Sequence, residues 1–424
     1  MLTNAPRGTA DVLPDKVQYW QWLELVIIDF CRRFNYKEIR TPIFEHTELF
    51  LRGIGNTTDI VSKEMYTFND RGDRSLTLRP ENTAAVVRSY LEHKLYADNY
   101  LNKLFYIGPM FRYDRPQAGR FRQFHQFGIE AIGTSNPLID AEVIMLAVQF
   151  LNALELNCLQ VIINSVGCPK CRPNYRKILQ DFFEEKRHHL CTDCNSRFEQ
   201  NPLRILDCKV PTCQQLSSGV PVITDCLCEE CTEHFAQVKE ALSAAGINYM
   251  VDSGLVRGLD YYTKTAFEIK YLPLGAQSAV CGGGRYDGLI EECGGNPTPG
   301  IGFAMGMERI LLALEKQNLL HPIDNSIDVF IATSGNEAGR EALALAYRLR
   351  EVGLRCETDF AGRSLKAQMK SANKLNATHV VIIAEQELET NTYIYKNMQT
   401  SEQVIIGQSE FTSLLKLLGV NEKC

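Results

Sequence analysis

Apolar positions recur along the chain with a period that changes from one region to the next. Between 17 and 34, Trp20, Leu23, Ile27, Phe30 and Phe34 fall on one side of a 3.6-residue repeat, which predicts a helix with a single buried face. The following Ile39-Arg40-Thr41-Pro42-Ile43-Phe44-Glu45 reads as extended chain. Short apolar runs at 75–78, 104–107 and 126–132, each bounded by turn residues or charge, predict strands of one mostly antiparallel sheet. At 140–155 a helix opens on Asp140-Ala141-Glu142, carboxylates placed at the positive end of its dipole. From about 158 to 250 the pattern is interrupted by cysteine-rich chain, and strand character resumes at 266–269. Beyond Pro322, strands at 327–332, 380–384 and 404–406 alternate with helices at 337–352 and 364–375, the pattern of a small α/β domain.

Composition narrows the class. A 424-residue chain exceeds what one core organises, which predicts two or three domains. With 45% hydrophobic and 23% charged residues, disorder and fibrous architecture are excluded, and the lack of internal repeats excludes a solenoid. No apolar run approaches the roughly 18 residues of a membrane span. The first residues are polar and carry Pro6, Gly8 and Pro14, unlike a secretory leader, so the expected compartment is the cytoplasm. A net charge of −6 argues against bulk polyanion binding but permits a local basic surface.

Four segments hold more arginine, glycine and aromatic residues than packing requires. In Phe111-Arg112-Tyr113-Asp114-Arg115 and Arg120-Phe121-Arg122-Gln123-Phe124, two strand-like runs flank a loop near which Arg112, Arg115, Arg120 and Arg122 are expected to converge. Guanidinium forks suit phosphate oxygens, and Phe124 offers a flat face to a purine; the plainer alternative is a solvated hairpin pairing with carboxylates. Leu255 to Thr263 places Arg257 and Asp260 beside Tyr261 and Tyr262, groups able to hold a polar ligand or to line a core. Gly282-Gly283-Gly284 follows an apolar strand and matches neither the dinucleotide fingerprint nor the phosphate loop. Gly300 to Ile310 is a glycine-punctuated strand running into a helix whose first turn holds Arg309, where phosphate is also favoured by free N–H groups.

Together these segments resemble the class II aminoacyl-tRNA synthetases, and within them the histidine-specific family. The 111–124 segment looks like motif 2, 300–309 like motif 3, and the first helix with Thr41-Pro42-Ile43-Phe44 like motif 1. The 255–262 and 279–287 segments resemble the two histidine signatures, and Thr77-Leu78-Arg79-Pro80-Glu81-Asn82-Thr83 the substrate loop. The resemblance spans the whole chain, in the family's order. It implies an α+β fold: an antiparallel sheet with flanking helices over 1–160 and 251–322, a cysteine-rich insertion over 161–250, and an anticodon-binding α/β domain over 327–424. It implies ATP-dependent ligation of L-histidine to its tRNA through a histidyl-adenylate, by a homodimer, with Mg²⁺ accompanying ATP. Arg112 would contact the α-phosphate, Arg309 the terminal phosphate, Phe124 the adenine, and Arg257 would be the family's catalytic arginine. Histidine would be held by Glu81, Thr83, Gln126 and Glu130, with Tyr261 and Tyr262 lining the imidazole pocket. Lys366, Lys370 and Lys374 suit either a tRNA phosphate face or a solvated helix. The alternative function is a catalytically silent, synthetase-like regulatory subunit of histidine biosynthesis; such paralogues typically lack the catalytic residues and the anticodon domain.

Nine of the fifteen cysteines lie between 168 and 231. Cys168-x-x-Cys171 and Cys191-x-x-Cys194 have the spacing of a Cys₄ zinc site, and Cys208, Cys213, Cys228 and Cys231 would form a second set, with Cys226 left over. Zinc, reduced structural thiols and a redox role all remain open readings.

Overall fold

The computed structural model describes residues 3–55, 58, 60–117, 119–320 and 324–420. Two compact units, 1–321 and 322–424, divide the chain. In the first, the elements in order are α1 (Pro14–Arg33), β1 (Lys37–Glu38), β2 (Phe44–His46), α2 (Thr47–Ile54), β3 (Tyr66–Asn69), β4 (Ser75–Leu78), α3 (Thr83–Glu92), β5 (Asn102–Phe111), β6 (Gln123–Ile132) and α4 (Pro137–Ala153). Then follow β7 (Leu159–Ser165), α5 (Arg172–Glu184), α6 (Thr192–Gln200), α7 (Pro211–Leu216), α8 (Glu229–Ala244), β8 (Met250–Val251), β9 (Thr263–Tyr271), β10 (Ala279–Arg285), α9 (Leu289–Glu292), β11 (Gly300–Gly306) and α10 (Met307–Lys316).

The apolar period of α1 does what it predicts: Leu23, Ile27 and Phe30 are buried, and Phe30 meets Phe150 of α4 edge-on at 5.7 Å. Eight strands form one sheet in the order β1-β5-β6-β11-β10-β9-β7-β8, antiparallel except for the two outermost pairs. Side chains alternate between its faces. Phe127, Ile129 and Ala131 of β6 and Ile301, Phe303 and Met305 of β11 join the core formed with α1, α4, α8 and α10. The intervening Gln126, Gly128, Glu130, Gly302 and Ala304 therefore face the other way, and small residues there leave room.

Two expectations are revised. The strand at 75–78 lies outside the large sheet, in a separate three-stranded sheet ordered β2-β4-β3. Its neighbours are the nearby chain segments, and the hydroxyl of Thr77 shares hydrogen bonds with those of Thr47 at 3.0 Å and Thr67 at 2.9 Å. The extended 39–45 stretch pairs as strand only from Phe44, in Phe44–His46, and the chain before it is gripped by the buried Arg79, which donates to the Thr41 carbonyl at 3.1 Å and to the Pro42 carbonyl at 3.3 Å. The insertion is also narrower than 161–250. β7 pairs with β9 as part of the large sheet, and α8 packs on α4, contributing Phe235, Val238 and Leu242 to the main core. What stands apart is a small cluster built on the i, i+4, i+8 stripe Tyr175, Leu179 and Phe183 of α5 together with Phe198, Ile205 and Ile223.

The second unit contains β12 (Val329–Thr333), α11 (Asn336–Glu351), β13 (Cys356–Thr358), α12 (Leu365–Lys374), β14 (His379–Ile383), α13 (Glu385–Glu389), β15 (Thr392–Asn397), β16 (Gln403–Gly407) and α14 (Phe411–Leu417). Its sheet runs β13-β12-β14-β15-β16, parallel across the first three strands and antiparallel beyond. Every residue of β12 is buried, as its unbroken apolar run requires. On α12, Gln368 is buried and bonds both the amide and the carbonyl of Thr333, while Lys366, Lys370 and Lys374 line the exposed side. No helix among the described residues is long and apolar enough to cross a membrane.

Candidate active site

A cavity of about 310 Å³ opens in the first unit on the sheet face turned away from α1 and α4. At one end stand arginines. Arg112, at the close of β5, donates its Nε proton to the Pro80 carbonyl at 2.8 Å, and its guanidinium lies 5.5 Å from the Phe124 ring centroid. Arg309, in the first turn of α10, donates to the Ala279 carbonyl at 2.5 Å and to the Gly119 carbonyl at 3.4 Å. Burial holds both guanidinium pKa values below the ordinary range, and for Arg309 the nearby Arg120 adds to this; arginine nevertheless stays protonated. Anions entering here would meet poorly solvated positive charge.

Arg257 sits on the loop leading into β9. It pairs with Glu268 at 2.9 Å and lies 5.9 Å from the Tyr262 ring. Burial opposes its charge, but the surrounding tyrosines and Glu268 outweigh that and raise its pKa. The arginine can lie there only over a glycine, since a Cβ at Gly282 would fall on the guanidinium and displace it.

The other end is acidic and aromatic. Glu81 accepts the backbone N–H groups of Thr83 at 2.7 Å and Ala84 at 3.0 Å, which caps α3 and holds its carboxylate at the cavity wall. Glu130 accepts from the Thr83 hydroxyl at 2.7 Å and from the Tyr286 hydroxyl at 2.6 Å. A Cβ at Gly302 would overlap this carboxylate, so β11 must be bare there. Burial raises the pKa of both acids, that of Glu130 to about 8. The rings of Tyr261 and Tyr262 meet at 4.7 Å, tilted 49° to each other, and Tyr286 meets Tyr261 at 5.9 Å; burial keeps all three phenols protonated. Two buried polar atoms of this cavity, Gln126 Oε1 and Arg257 Nε, have no hydrogen-bond partner among the described residues.

Arg112, Phe124, Arg309, Arg257, Glu81, Thr83, Gln126, Glu130, Tyr261 and Tyr262 thus all line one cavity. The expected convergence of four motif 2 arginines is only half realised. Arg120 lines the cavity, paired with Asp114, but Arg122 turns away to stack on Tyr113 at 3.8 Å and Arg115 is exposed. Tyr106, Tyr286 and Glu268 belong to the cavity without having been singled out from the sequence. Glu268 carried a readable signal, a charge in an apolar strand. Tyr286 lies in the 279–287 segment, but its own role could not be read there, because its hydroxyl reaches Glu130 across the strand order β10-β11-β6.

The cysteines group differently from their spacing. Cys168 and Cys171 meet Cys228 and Cys231, while Cys191 and Cys194 meet Cys208 and Cys213, the sulfurs of each group lying within 4.8 Å of one another. The set Cys168, Cys171, Cys191 and Cys194 is therefore split between two groups. The reason is topological: the chain leaves the core at 168–171 and returns at 228–231, which brings these two pairs together. Cys226 belongs to neither group, and no cysteine among the described residues forms a disulfide.

A family model described as histidyl-tRNA synthetase matches residues 8–189 and 214–310, and one described as an anticodon binding domain matches 328–418. The chain is 55% identical to the histidine–tRNA ligase of Desulforamulus reducens, covering 98% of this chain and 99% of that one. It is 54% identical to the ligase of Caldanaerobacter subterraneus, with 98% and 100% coverage. Among solved structures, the histidyl-tRNA synthetase of S. aureus superposes with a TM-score of 0.81 at 44% identity over 97% of this chain and 99% of that one. A protein from Bacillus halodurans described as an ATP phosphoribosyltransferase regulatory subunit/histidyl-tRNA synthetase reaches 0.64 at 24% identity, covering 91% of this chain and 99% of that one, a likeness of fold alone. Close kinship to the ligases over nearly the full length, anticodon domain included, sets aside the regulatory-subunit alternative. The chain belongs to the histidyl-tRNA synthetase family of class II aminoacyl-tRNA synthetases, enzymes that form histidyl-adenylate from ATP and transfer the histidyl group to tRNA.

Proposed function

We propose that this cavity activates histidine with ATP, the arginine end holding phosphates and the acidic end holding the amino acid. The observation that carries this division is the pair of orphaned buried atoms, Gln126 Oε1 and Arg257 Nε, which a bound polar ligand would satisfy. The histidine carboxylate attacks the α-phosphorus in line, and pyrophosphate leaves. Negative charge that builds on the α-phosphate oxygens is met by Arg112 and Arg257, and the leaving phosphates by Arg309, with Mg²⁺ arriving as part of the ATP substrate. Phe124 supports adenine. Glu81, Thr83, Gln126 and Glu130 hold the substrate ammonium and ring, and Tyr261 and Tyr262 border the imidazole. A competing amino acid without an imidazole would leave these buried groups unpaired. The terminal ribose of the histidine tRNA then takes the histidyl group.

Histidine-dependent ATP–pyrophosphate exchange tests the division. Gln126→Ala is expected to raise the KM for histidine by roughly tenfold, a lost polar contact, with the KM for ATP nearly unchanged. An equal rise for both substrates would reject it.

A second outcome follows from Glu130. Its pKa of about 8 means that the empty pocket holds a proton there at neutral pH. The substrate ammonium favours the carboxylate and lowers that pKa, so binding histidine at pH 7 releases a proton. Histidine affinity should rise with pH until it levels near 8, and titration calorimetry in buffers of different ionisation enthalpy should register the released proton. Glu130→Gln should lose both effects.

The same reading includes a homodimer, since Ile43 and Phe44 of the motif 1 segment are exposed apolar residues in the single chain at 43% and 47%. It also includes a cytoplasmic location and structural zinc in the cysteine-rich insertion. The donor set suits zinc: four thiols per group, with neighbouring sulfurs at 3.7 to 3.9 Å. Thiolates about 2.3 Å from a tetrahedral zinc stand ~3.8 Å apart, whereas a disulfide requires about 2.05 Å.

A further inference from the structure

The two cysteine groups occupy different mechanical positions. Cys191, Cys194, Cys208 and Cys213 lie within the insertion, where three of them are buried among Leu190, Phe198 and Ile205. A core of that size is too small to hold itself together without a staple. Cys168, Cys171, Cys228 and Cys231 stand instead at the root, clamping the chain as it leaves β7 to the chain as it enters α8. Backbone N–H groups point at the sulfurs in both: Cys228 N–H donates to Cys171 Sγ at 3.1 Å, and Cys191 N–H to Cys213 Sγ at 3.3 Å. Such donors stabilise thiolate ligands and orient them.

The root group is also wired to the amino-acid pocket. Arg172 directly follows Cys171. Its Nε donates to the Val166 carbonyl at 3.2 Å, and its Nη2 donates to the carbonyl of Tyr262. Around it, Val166 N–H donates to the Lys264 carbonyl at 2.7 Å and Lys264 N–H to the Gly167 carbonyl at 2.9 Å. The Lys264 ammonium reaches Glu230, beside Cys231, at 2.8 Å. The segment 262–264 that carries Tyr262 into the cavity is therefore held by the chain on either side of the root cysteines.

We propose that the chain binds two structural zinc ions, one per cysteine group, and that the root ion, through Arg172, positions Tyr262 for histidine recognition. This rests on the reading of the insertion as a zinc domain and of Tyr262 as part of the histidine pocket. Arg172 is a positioning residue, since it touches the pocket wall and not the substrate.

Metal analysis of the purified full-length protein should find two zinc ions per chain, falling to one in Cys208→Ser and to one in Cys228→Ser. In pyrophosphate exchange, Cys228→Ser should raise the KM for histidine by about tenfold, the lower end of what losing a supporting shell costs, while kcat and the KM for ATP change by less than about twofold. Arg172→Ala should keep both ions and show the same rise, which decides the matter if Cys228→Ser does not fold. Two ions with an unchanged histidine KM in Arg172→Ala would overturn the coupling and leave the zinc reading standing. One ion or none in the native protein would overturn the two-site assignment itself.

Discussion

Arg257→Ala is expected to lower histidine-dependent ATP–pyrophosphate exchange by about two to three orders of magnitude, as removal of a preorganised charge donor does. Three features place this arginine apart from its neighbours. Its side chain is only 20% exposed, yet Nε has no hydrogen-bond partner among the described residues. Its guanidinium rests against the bare backbone of Gly282. Its charge is sustained against burial by Tyr262 and Glu268, so the cation is already paid for by folding when substrate arrives. An interaction made chiefly in the transition state should depress kcat and kcat/KM together. Stability should change little, because the partner left behind, Glu268, still has Lys270 at 3.6 Å. A loss of exchange below about tenfold in folded protein would remove Arg257 from the catalytic group.

The largest effect on stability is expected at Asp140, which is fully buried on α4 and joins three elements. Its carboxylate accepts one N–H of Arg285, from Nε, shared between both oxygens at 3.1 Å, accepts a second from Nη2, and meets His234 Nε2 at 2.8 Å. Arg285, at the end of β10, is itself 0% exposed and bonds Asp287 and the Thr134 carbonyl, each at 3.0 Å. Asp140→Ala strands the buried guanidinium with half its partners, and should cost about 3 to 5 kcal/mol. Calorimetry of the variant should show the first unit melting early while the second keeps its own transition. Removing both charges, as Asp140→Ala with Arg285→Met, should recover part of the loss, since the buried guanidinium is no longer stranded and the partner left behind, Asp287, is 26% exposed; a double variant less stable than the single would contradict this account. The acid side follows from the sign of the shift. Burial raises the Asp140 pKa, but Arg285 and His234 together bring it below the unfolded value of 3.8. Its stabilisation is therefore complete above that value and fades as pH falls through the lower, folded one.

Legibility in the sequence followed the range of the interaction. The helix of α1, the burial of β12 and the arginine-bearing loops could be read because each is declared by a few successive residues whose spacing matches a backbone period. Arg257 and Arg309 were marked by the glycine and aromatic residues around them, whereas Glu81 and Glu130 were named only because resemblance to a family carries positions that no local pattern marks. Arg115 and Arg122 were misjudged for the opposite reason: a run of arginines near one loop says nothing of which side chains turn inward, and Arg122 prefers the face of Tyr113. Tyr286 went unseen because it serves β6 from β10, with β11 lying between them.

The cysteines mark the boundary between the two kinds of knowledge. From the sequence alone came the first helix, the helix at 140–155, several strands, the motifs and the presence of eight thiols in C-x-x-C or similar pairs. Tertiary structure alone decided that Cys168 pairs with Cys228 and not with Cys191, that β4 leaves the large sheet, and that Gly282 and Gly302 are floors for Arg257 and Glu130. A backbone period is set by neighbouring residues and so is written locally, whereas which segments become neighbours depends on strand order and on where an insertion leaves and rejoins its sheet.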